Sequence, residues 1–244
     1  MVYFPRPINT EGKTIMETAN LLIVEDDADI NRLLCTILEG AGHTCRAAFS
    51  GSEALLWAEK YDYDLVLLDL MLPGLTGEDF IDQIRRRKTM PIIVVSAKLG
   101  VSDRVNVLNL GADDFIPKPF DNTEVLARVE AQLRRCRRFS APAAGVLTAG
   151  GLTLEPESRA VSVHGQEVSL TSREFDILAL LMKNPRRAFS RAQIYEAVWG
   201  EDFLGDDNTV NVHVSNLRSK LARADPDAAY VKTVWGIGFK LAEL

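Results

Sequence analysis

The sequence predicts an α/β domain built on a five-stranded parallel sheet, followed by a smaller α+β domain. The segment 64–74 is an apolar run of strand length that ends at the carboxylate of Asp69, with Pro73 and Gly74 just beyond. A strand that is apolar on both faces is typical of the middle of a parallel sheet covered by helices. Strand-like runs alternate with helical patterns five times before residue 138, which predicts a doubly wound sheet. A chain of 244 residues has room for a second domain.

Hydrophobic periodicity and capping residues predict each element of the first domain, residues 20–138. Apolar runs predict strands at 20–24, 44–48, 64–69, 91–96 and 115–119. Apolar residues at helical spacing predict a helix that follows Asp27 and stops near Gly40 and Gly42, a second helix that starts at Ser50, and helices at 77–87, 102–110 and 121–138. Ser50 and Glu53 have the spacing of a capping box at the start of the second helix. The buried side of that helix is predicted to include Leu55, Leu56 and Ala58.

A change of pattern after residue 138 predicts a linker at 139–146 and a second domain at 147–244. The Pro, Gly and Ala residues of this stretch are typical of a connection between domains. Short alternating runs then predict strands at 152–154, 160–164 and 167–170. Capping boxes that begin at Thr171 and Ser190 predict two helices. A third helix is predicted at 209–224, and a hairpin at 230–241.

Composition and charge exclude several classes of protein. No apolar run approaches the ~18 residues of a membrane span, so no membrane association is expected. Three cysteines without close spacing argue against a disulfide framework or a zinc site and favour a cytoplasmic location. The net charge of −6 does not favour nucleic acid, but the segment 208–223 contains Arg218, Lys220 and Arg223 and no acid. Residues 1–19 lack the apolar core of a signal peptide and are expected to be a disordered extension, with Met16 as an alternative start.

Four predicted strand ends carry side chains that suit phosphoryl chemistry. Because the carboxyl ends of parallel strands meet at one edge of the sheet, we expect these side chains to lie close together. They are Glu25, Asp26, Asp69, Ser96 and Lys118. Crowded carboxylates are costly unless a cation lies among them, and a hard divalent ion such as Mg²⁺ suits their oxygens. One carboxylate can then act as a nucleophile on a phosphoryl group. Each residue alone could instead be an ordinary turn or cap residue, and their conjunction favours the site.

The same residues lie in segments that resemble the receiver domain of bacterial two-component response regulators. These segments are LLIVED at 21–26, LLDLMLPG at 67–74, VSA at 95–97 and GADDFIPKPF at 111–120. The resemblance implies a flavodoxin-like fold in which a sensor histidine kinase phosphorylates Asp69. It also implies that the domain is not an enzyme in the ordinary sense, because it promotes only its own Mg²⁺-dependent phosphorylation and dephosphorylation.

The resemblance assigns a role to each residue of the expected site. Asp26, Asp69 and the Met71 carbonyl are expected to bind Mg²⁺, with Glu25 acting largely through water. Lys118 is expected to pair with the phosphoryl oxygens, and the Lys118–Pro119 peptide bond to be cis. Two further positions match the hydroxyl and aromatic switch residues of the family, and they are occupied by Ser96 and Phe115.

The predicted helix at 209–224 has one apolar stripe and one mixed face. At about 100° per residue, the buried stripe consists of Val210, Val214, Leu217 and Leu221. On the opposite face, the Asn216 amide can pair with adenine and the apolar Val212 side chain can touch a thymine methyl, and the flanking cations suit phosphates. From this helix alone, a solvated surface with one stray Val is the alternative.

The surrounding segments resemble the winged-helix DNA-binding domain of OmpR/PhoB-type regulators. They are LTSREFDIL at 170–178, NTVNVHVSNLR at 208–218 and TVWGIGF at 233–239. The resemblance implies binding to double-stranded promoter DNA and a contact between the loop 201–207 and RNA polymerase. The predicted DNA-binding residues are Asn211, Val212, His213, Ser215, Asn216, Arg218, Ser219, Lys220, Arg223, Thr233 and Trp235.

Several positions depart from the family pattern and predict weaker nonspecific binding to DNA. Asn208, Ser215 and Asn216 stand where family members often have Arg, and Trp235 stands where a wing Arg is common. Trp235 and the segments 132–135 and 232–234 resemble the corresponding residues of a VanR-like subgroup of the family.

The resemblance also implies a homodimer after phosphorylation. Its reciprocal salt bridges are expected to be Arg104–Glu124 and Asp114–Arg128 across a two-fold axis. Ordinary solvated charges are the alternative for these residues.

Taken together, these features predict a phosphorylation-activated, DNA-binding transcriptional regulator. Two rival functions remain open at this stage. A phosphoaspartyl phosphatase is disfavoured because Met71 occupies the place of its usual second acid, two residues after the nucleophile. A receiver that is never phosphorylated and serves only for dimerisation is disfavoured by the intact set of site residues.

Overall fold

The computed structural model describes residues 18–97, 100–138, 145–200 and 208–243. The predicted loop at 201–207, most of the predicted linker and nearly all of the predicted N-terminal extension lie outside the described residues. Within those ranges, no helix combines the length and the apolar character that crossing a membrane requires.

The parallel-sheet domain contains five strands whose pairings are all parallel. They are β1 (Asn20–Val24), β2 (Thr44–Ala48), β3 (Leu65–Leu68), β4 (Ile92–Ser96) and β5 (Asp114–Pro117). Their order in space is β2-β1-β3-β4-β5, which confirms the predicted doubly wound sheet. The strand order reverses between β1 and β3, and such a reversal opens a crevice at the carboxyl ends of the two strands.

Five helices cover both faces of this sheet. They are α1 (Ala28–Gly40), α2 (Gly51–Lys60), α3 (Gly77–Ile84), α4 (Val101–Leu110) and α5 (Asn122–Arg138). The helices α1 and α5 bury side chains such as Leu34 and Val129 against one face. The helices α2, α3 and α4 bury side chains such as Ala54, Phe80 and Val107 against the other. The sheet therefore has an apolar core on each side.

Two helices differ from the sequence-based expectation. Leu56 was predicted to be buried but is 60% exposed, whereas Ala54 faces the core together with Ala58, whose burial was predicted. Leu56 is two residues from Ala54, about 200° around the helix, and so it faces solvent. Helix α3 ends at Ile84 instead of residue 87, and beyond it the Arg85 side chain donates hydrogen bonds to the carbonyl oxygens of Gly111 (2.9 Å) and Met90 (2.7 Å).

In its described residues, 145–200 and 208–243, the C-terminal domain combines two antiparallel sheets with three helices. The four-stranded sheet consists of β6 (Leu147–Ala149), β7 (Leu152–Glu155), β8 (Ala160–Val163) and β9 (Gln166–Glu167). The helices are α6 (Ser172–Lys183), α7 (Arg191–Trp199) and α8 (Asn208–Ala224), and the hairpin consists of β10 (Val231–Val234) and β11 (Gly238–Leu241). Strand β6 was not predicted, because it exists through pairing with β7. Strand β9 has two residues instead of the four predicted.

The helices of the C-terminal domain begin and pack as the sequence predicts. Thr171 and Ser190 both form complete capping boxes, with Glu174 and Gln193 respectively. The predicted apolar stripe of α8 is buried in the core of this domain, and its members are Val210, Val214, Leu217 and Leu221. The opposite face of α8 is therefore not part of this core.

We expect Gly77→Ala to lower the free energy of unfolding by ~1–3 kcal/mol, as overpacking of a tight site does. A Cβ at Gly77 would lie 2.5 Å from the Asp69 carbonyl oxygen and 2.6 Å from the Leu70 Cα. The clash is with backbone, so a side-chain rotation cannot relieve it. Gly40→Ala is the matched control, since nothing lies within 4 Å of a Cβ there, and its effect should be within about 0.5 kcal/mol. Urea denaturation followed by circular dichroism measures both, and equal stabilities would contradict the assigned contact.

Candidate functional site

Three carboxylates meet at the crevice between β1 and β3. Glu25 and Asp26 follow β1, and Asp69 follows β3, which pairs with β1 in register up to Val24 and Leu68. One carboxylate oxygen from each of the three residues lies within 4.8 Å of the others. Glu25 is 2% and Asp69 5% exposed, whereas Asp26 is exposed. The cluster is therefore buried at its base and open to solvent at Asp26.

The ammonium group of Lys118 bridges two of these carboxylates. Its Nζ donates to Asp69 Oδ2 at 2.6 Å and to Glu25 Oε2 at 2.7 Å. Burial by itself lowers the pKa of Lys118, but the hydrogen bonds to Asp69 and Glu25 outweigh burial, and the pKa is raised. Burial raises the pKa of Glu25, against the opposing effect of the hydrogen bond from Lys118. Lys118 thus stays charged and compensates part of the negative charge of the cluster.

Two neighbours hold the acidic loops in place. The Asn31 side chain donates to the Glu25 carbonyl oxygen at 3.0 Å and to the Ala48 carbonyl oxygen at 3.1 Å. The Met71 backbone N–H donates to Asp69 Oδ1 at 3.1 Å. Sequence reasoning did not single out Asn31, although a polar residue on the buried face of α1 is a signal that could have found it.

The hydroxyl group of Ser96 lies at the end of β4 and is fully buried. Ser96 Oγ has no hydrogen-bond partner among the described residues. A buried hydroxyl without a partner costs free energy, and an oxygen atom of a bound ligand would offset that cost. The Lys118 backbone N–H donates to the Ser96 carbonyl oxygen at 3.0 Å, so the two residues are fixed relative to each other. Phe115 is 8% exposed on β5, and the Lys118–Pro119 bond is cis, as expected.

The donor set fits a hard divalent cation. Three carboxylates face one ammonium group, so the cluster retains excess negative charge, and its oxygen donors are those that Mg²⁺ prefers. Glu25, Asp26 and Asp69 would hold the ion.

One face of α8 lies against α4 of the parallel-sheet domain. Val212 joins the apolar cluster of that domain and is 7% exposed. The Asn216 side chain donates to the carbonyl oxygens of Leu108, at 3.3 Å, and Asn109, at 3.4 Å. Val212 and Asn216, two predicted base-reading residues, are therefore covered by the other domain in this arrangement.

The other predicted DNA-binding residues are spread around α8 and the hairpin. Arg218 donates to the Val231 carbonyl oxygen and to Thr233 Oγ1, both at 2.9 Å. Lys220 pairs with Glu174 at 2.7 Å. Trp235 is 90% exposed at the tip of the hairpin. The remaining exposed members are Ser215, Ser219 and Arg223, and Asn211 accepts a hydrogen bond from Arg191.

A buried polar junction joins the two domains at Asp113. Its carboxylate is fully buried and accepts from Arg85 Nη2 at 2.9 Å, the Ile92 N–H at 2.9 Å and the Arg173 N–H at 3.2 Å. The Arg173 guanidinium donates to the Val198 carbonyl oxygen and lies 4.5 Å from the centre of the Trp199 ring. Burial raises the pKa of Asp113, against the opposing charge of Arg85. No sequence pattern distinguishes Asp113 or Arg173 from a surface charge.

The predicted dimer residues lie near this junction. Arg128 pairs within its own chain with Asp114, at 3.2 Å, and with Glu124, at 3.0 Å. Arg173 Nη2 lies 3.9 Å from Asp114 Oδ2. Arg104 lies on α4.

Comparison with protein families and with known proteins matches both domains. Residues 21–130 match the response regulator receiver domain, and residues 165–241 match the family described as transcriptional regulatory protein, C terminal. The chain is 40% identical over 226 residues to the transcriptional regulatory protein ResD of Bacillus subtilis, which covers 90% of this chain and 94% of ResD. It is 40% identical over 224 residues to the sensory transduction protein RegX3 of Mycolicibacterium smegmatis, covering 91% and 98% respectively.

The chain is also similar to a regulatory protein named VanRc and to the solved structure of a RitR mutant. The regulatory protein VanRc of Enterococcus gallinarum is 36% identical over 223 residues, covering 90% of this chain and 96% of VanRc. A mutant of RitR superposes with a TM-score of 0.78 at 27% identity, covering 93% of this chain and all of that one.

The contact between α8 and the parallel-sheet domain should weaken as the pH falls below about 6.5. His213 is 1% exposed, its side chain is hydrogen-bonded to the backbone of Asp113, and its ring lies 5.5 Å from the ring of Trp199. Burial lowers the pKa of His213 to about 3, and the positive charges of Arg173, Lys220 and Arg85 act in the same direction. The docked form thus binds fewer protons than a separated form with a hydrated imidazole. The neutral His213 side chain therefore stabilises the docked form fully above the ordinary pKa of histidine. This stabilisation is lost progressively as the pH falls from there towards 3.

Small-angle scattering of the full chain between about pH 7.5 and 5.5 measures this effect, because an open form has the larger radius of gyration. Well below the ordinary pKa of histidine, each unit of pH should change the equilibrium constant for docking by up to tenfold. This change corresponds to about 1.4 kcal/mol. His213→Gln carries no titrating group and should remove most of this pH dependence. An identical response of both proteins would contradict the assignment to His213.

Proposed function

Because this chain belongs to the OmpR/PhoB family of two-component response regulators, we propose that Asp69 is its phosphoacceptor and that phosphorylation makes α8 available to DNA. The chain is a transcriptional regulator of a two-component system, with a receiver domain followed by a DNA-binding domain. The observation that carries the proposal is the geometry around Asp69. Its carboxylate lies beside two further acids, one ammonium group and the strand that ends at the buried Ser96 hydroxyl.

The phosphoryl group would pass from a phosphohistidine of a sensor kinase to Asp69. A carboxylate oxygen of Asp69 forms the new P–O bond, and the P–N bond breaks with return of its electron pair to the imidazole of the kinase. Mg²⁺, when bound, supplies charge compensation for the phosphoryl oxygens. Lys118 would move from the Asp69 carboxylate to a phosphoryl oxygen, and Ser96 Oγ would donate a hydrogen bond to another. In this reaction the modified group is Asp69 of the chain itself, whereas a phosphatase acts on many substrate molecules.

The domain contact supports a repressed state before phosphorylation. Val212, His213 and Asn216 lie against the parallel-sheet domain, so α8 cannot enter a major groove in this arrangement. Ser96 is the last residue of β4, whereas Asp113 directly precedes β5 and Phe115 is the second residue of that strand. A shift of these elements on phosphorylation would disturb the contacts at Asp113, Leu108 and Asn109. Release of α8 is then coupled to the chemistry at Asp69.

The released molecule would bind promoter DNA as a homodimer. Asp114, Glu124 and Arg128, with Arg104 on α4, supply charges that can pair across a two-fold axis. Arg173 lies beside Asp114 in the docked form, so undocking frees part of the same surface. RNA polymerase is the further proposed partner, and the cytoplasm is the proposed location.

Asp69→Asn should abolish stable labelling of the full chain by acetyl phosphate with Mg²⁺, while thermal stability is retained. The amide keeps the shape of the side chain but is a poor nucleophile. Asp62→Asn is the matched control, because Asp62 is an exposed acid paired with Lys88. It should be labelled like the unmodified protein. Phosphate recovered on another residue of the unmodified chain would refute the assignment, and turnover of many phosphodonor molecules would favour an enzyme.

Asn216→Ala and Lys220→Gln should affect DNA binding in different ways. Loss of a base contact costs ~1–3 kcal/mol at one base position, so Asn216→Ala should relax preference there and leave the salt dependence almost unchanged. Gln at position 220 can still donate to Glu174, yet it lacks the charge. Lys220→Gln should weaken binding to all sequences and reduce the salt slope by about one.

These affinities are measured with phosphorylated protein on specific and random DNA across a salt series. Equal weakening of both DNAs by Asn216→Ala would show that α8 does not read bases as proposed.

A further inference from the structure

Two cysteines of the parallel-sheet domain lie next to each other without a disulfide bond. Cys35 lies on α1 and Cys45 on the edge strand β2, and both pack against the apolar cluster between the sheet and α1. Both residues are free thiols and both are partly exposed. Their side chains are hydrogen-bonded to each other. A small oxidant can therefore reach two sulfur atoms that are already neighbours.

The surroundings of the pair make its two members chemically different. The hydrogen bond from Cys45 lowers the pKa of Cys35, against the opposing effect of burial. The same contact raises the pKa of Cys45, and burial acts in the same direction. The thiolate is the reactive form of cysteine. Cys35 is therefore suited to attack an oxidant, and Cys45 is placed to react with the product.

Cys35 also contacts the residue that supports the acidic loop. Its Sγ donates to Asn31 Oδ1 at 3.5 Å, one helical turn away. The amide nitrogen of Asn31 in turn donates to the Glu25 and Ala48 carbonyl oxygens. A single side chain thus connects the thiol pair to the backbone that carries Glu25 and Asp26.

We propose that Cys35 and Cys45 form a redox-sensitive pair that a hydroperoxide converts to a disulfide, and that this change reaches the acidic loop through Asn31. The Cys35 thiolate attacks the peroxide, the O–O bond breaks, and the departing oxygen leaves as water or an alcohol after protonation. The Cys35 sulfenic acid then reacts with Cys45, the S–S bond forms, and the hydroxyl leaves as water with the Cys45 proton. The two thiols supply the two electrons that reduce the hydroperoxide. The disulfide no longer offers an S–H donor to Asn31.

The pair is tested in the full chain carrying Cys136→Ser, so that the third cysteine cannot contribute. The protein is treated with hydrogen peroxide, alkylated with N-ethylmaleimide after denaturation and weighed by intact mass spectrometry. We expect loss of two hydrogen atoms and no alkylation, with full reversal by dithiothreitol. Adding Cys45→Ser should instead leave Cys35 to accumulate oxygen adducts. Two alkylated thiols after peroxide treatment, with the protein still folded, would overturn the pair.

The link to the acidic loop is tested by the rate of acetyl phosphate labelling, and this part rests on the proposed function. The oxidised Cys136→Ser protein should be labelled several-fold more slowly than the same protein after reduction. In the protein that also carries Cys35→Ser, peroxide should leave the rate unchanged. Equal rates in the oxidised and reduced Cys136→Ser protein would overturn the role of Asn31. Absence of labelling in every form would instead count against Asp69 as acceptor, while the mass measurement would still decide the thiol pair.

Discussion

Parallel pairing of β1 with β3 brings the carboxylates of Glu25 and Asp69 together beneath the surface, and much of the domain compensates for that placement. Two buried acids in contact are unfavourable unless opposite charge or hydrogen-bond donors lie close by. Lys118 supplies the charge from the end of β5, and the Met71 N–H donates a hydrogen bond to the Asp69 carboxylate. The excess of negative charge that remains suits the crevice to the divalent cation and the phosphoryl group of the proposed function.

The junction between the domains differs from the acidic cluster in how its buried charges are used. Its centre consists of charged groups that are almost completely removed from water, namely Asp113, Arg85 and Arg173. Such groups contribute little net stability, because desolvation offsets most of the attraction between them. The hydrogen bond from the Arg173 N–H to Asp113 crosses between the domains, and it requires one relative placement of donor and acceptor. A junction of this kind suits a switch, because the docked form is specific without being strongly favoured.

The face of α8 opposite its own core contacts α4 in this structure and is the face proposed to contact DNA. Val212 is apolar and Asn216 offers an amide, and both kinds of group suit base edges as well as the surface of α4. Burying this face against α4 removes an apolar residue from water before DNA is present. Under the proposed function, α8 cannot use these side chains for DNA while they contact α4, so docking and DNA binding would exclude each other.

The sequence by itself determined the elements whose signals are local. Strand-length apolar runs that end in Glu25, Asp69, Ser96 and Lys118 predict the parallel sheet and the edge at which these residues meet, because direction and periodicity place them there. Capping boxes at Thr171 and Ser190 determine where α6 and α7 begin, since each box satisfies helix-end groups within four residues.

Only the tertiary structure decided features that depend on residues distant in the chain. Strand β6 exists through pairing with β7, and Leu56 faces solvent because Ala54 and Ala58 face the core. Asp113, Arg173 and His213 come together where the two domains meet, and all three are buried there. A charged residue at a domain contact has the same sequence signature as one on a free surface, because periodicity reports only which way a side chain points within its own element.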